Sequence, residues 1–262
     1  MRYVIHYYKE GRLDTRKALA KVRSRVGVQP VRPLRYLRWT AIAATVLVVV
    51  GLSIYALLRP STVTLTAEAT QQVYQLSDGT VVTLSPHSSV SYASGDCRHV
   101  RLTGKAFFDI HHDAANPFTI SDECYTIRDI GTRLQVEETA SATRLTVVEG
   151  AASFGSIRPG SKAIAIGAGM SAVLDNDDSM PRLDSHTDVN TTAWATHEFH
   201  FSDTPLSDVM TTLSRYYHVR LTADATDKRL TADYDADNLD TIIALIQQTL
   251  GVRITKGKYI TV

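Results

Sequence analysis

Residues 98–110 read RHVRLTGKAFFDI: a β-branched run at 100–103, a Thr103-Gly104-Lys105 corner and an aromatic run at 106–110. Helical periodicity is absent, so the stretch predicts two short strands meeting at a glycine, which supplies backbone angles that other residues avoid. The same grammar extends in both directions. Further strands are predicted at 81–84, 89–92, 118–121, 125–129, 134–137, 145–148, 151–154, 163–166 and 171–174, with similar corners at Ser77-Asp78-Gly79, Glu149-Gly150-Ala151 and Gly167-Ala168-Gly169. Many short strands at near-regular spacing predict an all-β sandwich, barrel or solenoid over residues 59–174, with spacing too uneven for a sequence repeat.

Residues 175–192 (DNDDSMPRLDSHTDVNTT) are polar, turn-rich and without an apolar period, which predicts a linker between two domains. From 193 to 262 the periodicity becomes β-α-β-β-α-β, a small α+β domain. A strand at 198–201 precedes Thr204 as a helix cap and Pro205 at the first helical position. Leu206, Val209, Met210, Leu213 and Tyr217 then form one apolar stripe. Strands follow at 219–223 and 230–234. Asn238 is placed to cap a second helix with Leu239, Ile242, Ile243, Ile246 and Leu250 on its inner side, and Gly251 to end it. A hairpin around Gly257, with strands at 252–256 and 259–262, completes one sheet under the two helices.

Upstream, residues 39–58 (WTAIAATVLVVVGLSIYALL) carry no charge. Twenty helical residues span the roughly 30 Å hydrocarbon core of a bilayer, so the stretch predicts a single transmembrane helix. Charge orients it. Before Trp39 eleven basic residues face only Glu10 and Asp14, a net +9, whereas the 17 basic and 25 acidic residues that follow give −8. Lys and Arg flanking a span stay on the cytoplasmic side, so residues 1–38 are expected inside and the bulk outside, an inner-membrane protein with a periplasmic body. Ala67-Glu68-Ala69 resembles a signal-peptide cleavage site, but the apolar run and the head are both too long for that reading. Within the head, Asp14 can cap a helix over 15–26, with Leu13 as a staple, Leu19, Val22 and Val26 on one side and Arg16, Lys17, Lys21, Arg23 and Arg25 around the rest. Three apolar residues make no core, so this helix must lie on a membrane or bind a partner.

Cys97 and Cys124 are the only cysteines, both in the exported part; a bridge between them, or two small buried thiols, suits the sequence equally. Chemistry is sparse. His197-Glu198-Phe199-His200 lacks one residue of the zinc-protease spacing and sits on a predicted strand. His111-His112-Asp113 lies at a strand end, where successive side chains diverge. No nucleophile elbow, phosphate loop or Cys-x-x-Cys pair occurs, so neither a cofactor nor a metal is expected, and the basic head is explained by topology without nucleic acid.

These residues together resemble the FecR-type transmembrane anti-sigma factors. The family's L-x-D-G-(S/T)-x-V-x-L segment is matched by Leu76 to Leu84, continuing through Ser88, Val90 and Tyr92. Its R-x-V-x-L-x-G-E-A-(Y/F)-F motif is matched from Arg98 to Ile110, with Pro117-Phe118 following. Ile130 to Val136 and Val147 to Ala151 match its G-T-x-F-x-V and V-x-E-G-x-V elements. The terminal domain is similar to the short module shared with secretins and TonB-dependent transducers, through Trp194, Phe201, Pro205-Leu206, Val209, Leu213, Arg215-Tyr216 and Val219.

The resemblance implies an anti-sigma factor whose head, through Leu13, Asp14, Lys17, Leu19, Val22 and Val26, holds an extracytoplasmic-function sigma factor away from RNA polymerase. It implies a periplasmic receiver for a TonB-dependent outer-membrane transducer, with Phe201, Leu206, Arg215 and Tyr216 as candidate contacts, and transmission by regulated proteolysis. Some members cut themselves at a Gly-Thr bond, which here is Gly131-Thr132; a tight turn at Gly131 with a strand starting at Thr132 explains the same pair without chemistry, and no activating base is visible. The head is shorter than the family's usual one and lacks its acidic opening, and Lys105 replaces a family glutamate. An inner-membrane-anchored scaffold without sigma-factor control is the alternative, and a tethered hydrolase a weaker third.

Overall fold

The computed structural model describes residues 15–27, 35–58, 61–129, 131–185, 187–225 and 227–258, with side chains in the second helix described only for 44–55. The chain divides into two compact units, Met1–Arg59 and Pro60–Val262.

The first unit holds helix α1 (Thr15–Val26) and helix α2 (Arg35–Leu58, 24 residues). α1 has the expected bounds; its proposed staple and cap, Leu13 and Asp14, lie outside the described residues. None of its residues is buried, and Leu19, Val22 and Val26 are 59%, 61% and 64% exposed. Among the described residues no helix is long and apolar enough to cross a membrane.

The second unit begins with fourteen strands: β1 (Thr62–Ala67), β2 (Gln72–Gln75), β3 (Val81–Leu84), β4 (Ser88–Ala93), β5 (Asp96–Thr103), β6 (Lys105–Asp109), β7 (Phe118–Ser121), β8 (Tyr125–Asp129), β9 (Arg133–Glu138), β10 (Ala142–Glu149), β11 (Ala151–Ser156), β12 (Ile164–Gly167), β13 (Met170–Asp175) and β14 (Arg182–Leu183). They form two seven-stranded sheets. Sheet I runs β1-β4-β5-β7-β8-β11-β12 and sheet II runs β14-β13-β10-β9-β6-β3-β2. Pairing is antiparallel except for β5 with β7. The chain therefore steps repeatedly from one sheet to the other, and several of these steps fall at glycines with positive φ. Gly104 (φ 91°) carries β5 into β6 and Gly150 (φ 84°) carries β10 into β11, angles at which a Cβ is strained.

One hydrophobic cluster draws on the inner faces of both sheets. Sheet I contributes Val90, Leu102, Phe118, Ile120, Tyr125, Ile127 and Phe154, and sheet II Leu84, Phe108, Leu134, Val136, Leu145 and Val147. This is a sandwich, one of the three architectures expected for this segment. Phe108 is fully buried at the centre, its ring 6.0 Å from that of Phe118. Replacing it by Ala is expected to cost about 3–5 kcal/mol in equilibrium denaturant unfolding of residues 60–262; a loss below about 1 kcal/mol would mean that the two sheets do not share this core.

The predicted linker is partly built into the sandwich. β14 pairs with β13 at the edge of sheet II, and Val189–Thr192 forms a 3-10 turn capped by Asp188, whose carboxylate accepts from the Asn190 amide. A short helix α3 (Ala193–Thr196) leads into the terminal domain: β15 (Glu198–Pro205), α4 (Leu206–Tyr217), β16 (Leu221–Ala223), β17 (Arg229–Asp235), α5 (Leu239–Leu250) and β18 (Ile254–Lys256). The β-α-β-β-α-β order is as expected, but the strands form two separate pairs, β15 with β17 and β16 with β18, instead of one sheet. The helix stripes behave as read, burying Leu206, Val209, Met210 and Leu213 from α4 and Leu239, Ile242 and Ile246 from α5. Asn238 caps α5 by accepting from the amides of Asp240 and Thr241, and Gly251 ends it at φ 63°. Thr204 does not cap α4. It remains in β15, its hydroxyl turned to Ser202, and the extended Pro205 precedes the first helical residue, Leu206. The expected strand at 259–262 lies outside the described residues.

Candidate functional sites

The motif residues at the start of the sandwich build a turn. Asp78 accepts from the amide and hydroxyl of Thr80 (3.0 and 2.9 Å) and pairs with the Arg98 guanidinium at 2.6 Å. Arg98, nearly buried, also donates to the carbonyls of Asn116 and His111 and lies over the Phe118 ring. All three guanidinium nitrogens of Arg98 donate hydrogen bonds, which tie the 78–80, 111 and 116 segments together.

A second cluster surrounds Gly131. Between Asp129 and Arg133 the chain crosses from sheet I to sheet II. Asp129 Oδ2 accepts from the Gly131 amide at 2.7 Å, and the Thr132 carbonyl accepts from the amide of Ile110 at 3.0 Å. Gly131 has φ 145°, and a Cβ on it would meet His112 Nδ1 at 2.6 Å and His112 Cα at 2.8 Å. On the other side, a Cβ on Gly150 would meet Thr132 Cγ2 at 2.5 Å. The Gly131-Thr132 pair is thus held between two walls that only glycines permit. Asp129 and Thr132 are both buried, and Asp129 Oδ1, Thr132 Oγ1 and Arg133 Nε have no hydrogen-bond partner; among the described residues these are the only buried side-chain polar atoms so placed. Thr132 precedes β9 rather than starting it.

A third feature is the outer face of sheet II. Thr83, Phe107, Gln135, Thr146 and Ser171 stand in one register row across β3, β6, β9, β10 and β13, facing away from the core, and all five are buried. Thr187 and Trp194 reach two members of this row. The Ser171 amide donates to Thr187 Oγ1 (3.0 Å), Trp194 Nε1 donates to Gln135 Oε1 (2.7 Å), and the Lys105 ammonium sits 5.3 Å from the centre of the Trp194 ring. Arg133 pairs with Glu198 at 3.4 Å, and Arg144 pairs with Asp184. Burial pushes the Lys105 ammonium below its usual pKa against the opposing pull of Glu137. The terminal domain is therefore docked on the sandwich mainly by polar contacts, a kind of interface that separates more readily than a core.

Between the sheets, the buried Tyr125 hydroxyl donates to Glu138 Oε1, and the Gly104 amide donates to Glu138 Oε2 at 3.2 Å. Burial raises the pKa of the Glu138 carboxyl, outweighing the hydrogen bond from Tyr125, and burial likewise raises that of the phenol. A carboxyl whose folded pKa is raised binds its proton more tightly in the folded state. Its contribution is whole below the unfolded value and is lost as pH rises through the folded one. Glu138 thus contributes a fall in the unfolding free energy of residues 60–262 as pH rises from about 4 into the range just above, opposite in sign to Asp96 and Asp113, whose pKa values are lowered, and Glu138→Gln is expected to remove that contribution from the slope. Equal slopes for wild type and variant, in denaturant titrations at stepped pH, would refute the assignment.

Other residues singled out from the sequence are placed as follows. Cys97 and Cys124 are free thiols and are not bridged. β5 runs parallel to β7 with Val100 beside Ile120, so Cys97 lies toward one end of the pair and Cys124 in the turn beyond the other. The separation is on the order of 13 Å along the strands, past the roughly 7 Å limit for bridging. Cys97 Sγ accepts instead from Ser77 Oγ at 3.1 Å. Phe201 and Leu206 are core residues of the terminal domain, 2% and 0% exposed. Arg215 is exposed and reaches Asp188 at 3.6 Å, and Tyr216 is half-buried edge-on against Phe199. His197 ends α3 in left-handed backbone, its backbone N–H donating to the Ala193 carbonyl, and His200 Nδ1 lies 2.9 Å from Asp233 across the β15–β17 pair.

Comparison with known proteins gives two domain matches. The family profile described as FecR protein matches residues 62–153, and that described as FecR, C-terminal matches residues 198–262, together more than half of the chain. No curated protein matches. Two crystal structures, at 1.65 and 2.50 Å, of a candidate anti-sigma factor from Parabacteroides distasonis ATCC 8503 are similar: one at 20% identity over 75% of this chain and 96% of that one, the other at 19% over 76% and 100%, each with a TM-score of 0.47.

Proposed function

The chain belongs to the FecR family, and from that premise we propose that it is a transmembrane anti-sigma factor, with α1 as the element that holds an extracytoplasmic-function sigma factor. The observation that carries this reading is α1 itself: a helix in a unit separate from the folded body, with Leu19, Val22 and Val26 exposed along one side and basic residues around the rest. A helix with an apolar stripe and no core of its own is stable in use only against a partner or a membrane surface. Residues 39–58 span the inner membrane in this reading, with the +9 head in the cytoplasm and the sandwich and terminal domain in the periplasm.

The periplasmic part then receives a TonB-dependent outer-membrane transducer, with Arg215 and Tyr216 still available on the surface of α4. Such a receiver needs no turnover of substrate, only a contact that favours one state of the chain over another. Self-cleavage at Gly131-Thr132 belongs to the same proposal: the Thr132 hydroxyl is a nucleophile with no hydrogen bond to give up, against a glycine carbonyl in a rigid corner. The test is co-purification from membranes of the full chain and of a chain lacking residues 1–38. A sigma factor retained by the first and lost by the second supports the regulator. A transducer bound by both, with a sigma factor on neither, supports the anchored scaffold instead.

A further inference from the structure

We propose that Asp129 is the residue that takes the hydroxyl proton of Thr132 when the Gly131-Thr132 bond is cut, an assignment that rests on the self-cleavage reading above. It comes from alternation. Along β8, Tyr125, Ile127 and Asp129 are buried while Thr126 and Arg128 are not, so the Asp129 carboxylate enters the space between the sheets. Along β9, Leu134 and Val136 line that same space, and Thr132, one residue before β9 begins, is buried too. Both residues are thus buried, three positions apart, at one of the corners where the chain changes sheets, with no hydrogen bond between them in this state. The carboxylate is fixed by Oδ2 on the Gly131 amide at 2.7 Å, while Oδ1 has no donor and Thr132 Oγ1 no acceptor.

Leaving a buried hydroxyl unpaired costs about 1–3 kcal/mol, and a charged oxygen more. Elsewhere among the described residues of this fold buried side-chain polar atoms have partners, so the concentration of orphans within five residues calls for a reason beyond packing. Neither atom holds a competing hydrogen bond, so rotation of the Thr132 side chain about its Cα–Cβ bond breaks none.

In the step, Thr132 Oγ1 bonds to the Gly131 carbonyl carbon as its proton passes to Asp129. The same proton then goes to the Thr132 nitrogen as the C–N bond breaks. The product is an ester between Gly131 and the Thr132 oxygen, with a free Thr132 amine. Water hydrolyses the ester to a Gly131 carboxylate and a Thr132 hydroxyl, so one water is consumed and Asp129 ends as it began. His112 walls the glycine from outside and has no part in the proton transfer.

The experiment follows a fragment beginning at Thr132, by N-terminal sequencing and time course, in full-length chain made in membranes. Asp129→Asn keeps the volume and an oxygen for the Gly131 amide, and is expected to slow fragment formation at least about 100-fold, the scale of a lost general base. Asp129→Ser, which also keeps an acceptor oxygen, replaces it should the first variant fail to fold. His112→Ala is expected to go on producing the fragment. A folded Asp129 variant cutting at the wild-type rate, while Thr132→Ala does not cut, overturns the role of Asp129 alone. A fragment from Thr132→Ala, or none from wild type, overturns the self-cleavage reading with it.

Discussion

Replacing Leu19 and Val22 by Asp is expected to release the sigma factor and raise expression of its target genes to the level of a strain lacking this chain. The two side chains are 59% and 61% exposed in α1 and stand three residues apart, on the same side of the helix as Val26. Burying one such side chain against a partner is worth about 1.5–3 kcal/mol, and introducing a carboxylate into an apolar contact adds a desolvation penalty, so a loss of affinity on the order of 100-fold or more is expected. The folded body acts as the control. α1 lies in a separate unit, so the thermal unfolding of residues 60–262 should be the same in wild type and variant. Target-gene expression that stays repressed, with the variant chain present in the membrane at wild-type level, would sink the clamp and favour the anchored scaffold.

The strands legible in the sequence were those whose residues bury on one face or both. Val81–Leu84, Phe118–Ser121 and Tyr125–Asp129 have the bounds that their β-branched and aromatic runs predict. β1 and β2 escaped for a physical reason: both lie at sheet edges, largely exposed, and their threonines and glutamines give no apolar run. β14 is two exposed residues, Arg182 and Leu183, whose pairing is decided by β13 rather than by their own chemistry. The stripes of α4 and α5 were readable because helical spacing identifies a face. What the stripes do not give is function: Leu206 of α4 and Phe201 of β15 belong to a motif whose side chains are buried in the core of the terminal domain.

The corner at Gly131 was readable as a residue pair and unreadable as a site. The glycine and threonine stand side by side in the sequence, whereas the walls around them come from His112 and Gly150, 19 residues away on either side. Asp129 is two residues from Gly131, yet only its burial with an unpartnered oxygen separates it from an ordinary turn aspartate. The docked face of sheet II was equally hidden. Thr83, Gln135, Thr146 and Ser171 are polar in sequence and read as solvent-facing, yet all are buried, Ser171 with Thr187 and Gln135 with Trp194 as hydrogen-bond partners.

That docking depends most on Trp194, and Trp194→Ala is expected to free the terminal domain from the sandwich. The substitution removes the indole from the Lys105 ammonium, a contact worth about 0.5–2 kcal/mol depending on desolvation. It also takes away the Nε1–H donor of Gln135, a side chain that is 1% exposed and would keep its cost of burial without its bond. The ring is half-buried, so the sum is expected at roughly 2–4 kcal/mol, below that of a fully buried tryptophan. The Arg133–Glu198 and Arg144–Asp184 pairs that remain beside the Ser171–Thr187 hydrogen bonds are partly exposed and contribute little when alone. Proteolysis within residues 175–192 should accelerate, amide exchange along β9 should rise, and solution scattering should report a longer particle. Trp194→Phe keeps the cation contact but not the hydrogen bond and should fall between. Gln135→Leu in the Trp194→Phe background should recover part of the loss, because it removes the stranded amide. β9 begins one residue after Thr132, so the same variant asks whether the dock controls the corner: if undocking leaves both exchange in β9 and proteolysis unchanged, the terminal domain is held by something other than this tryptophan.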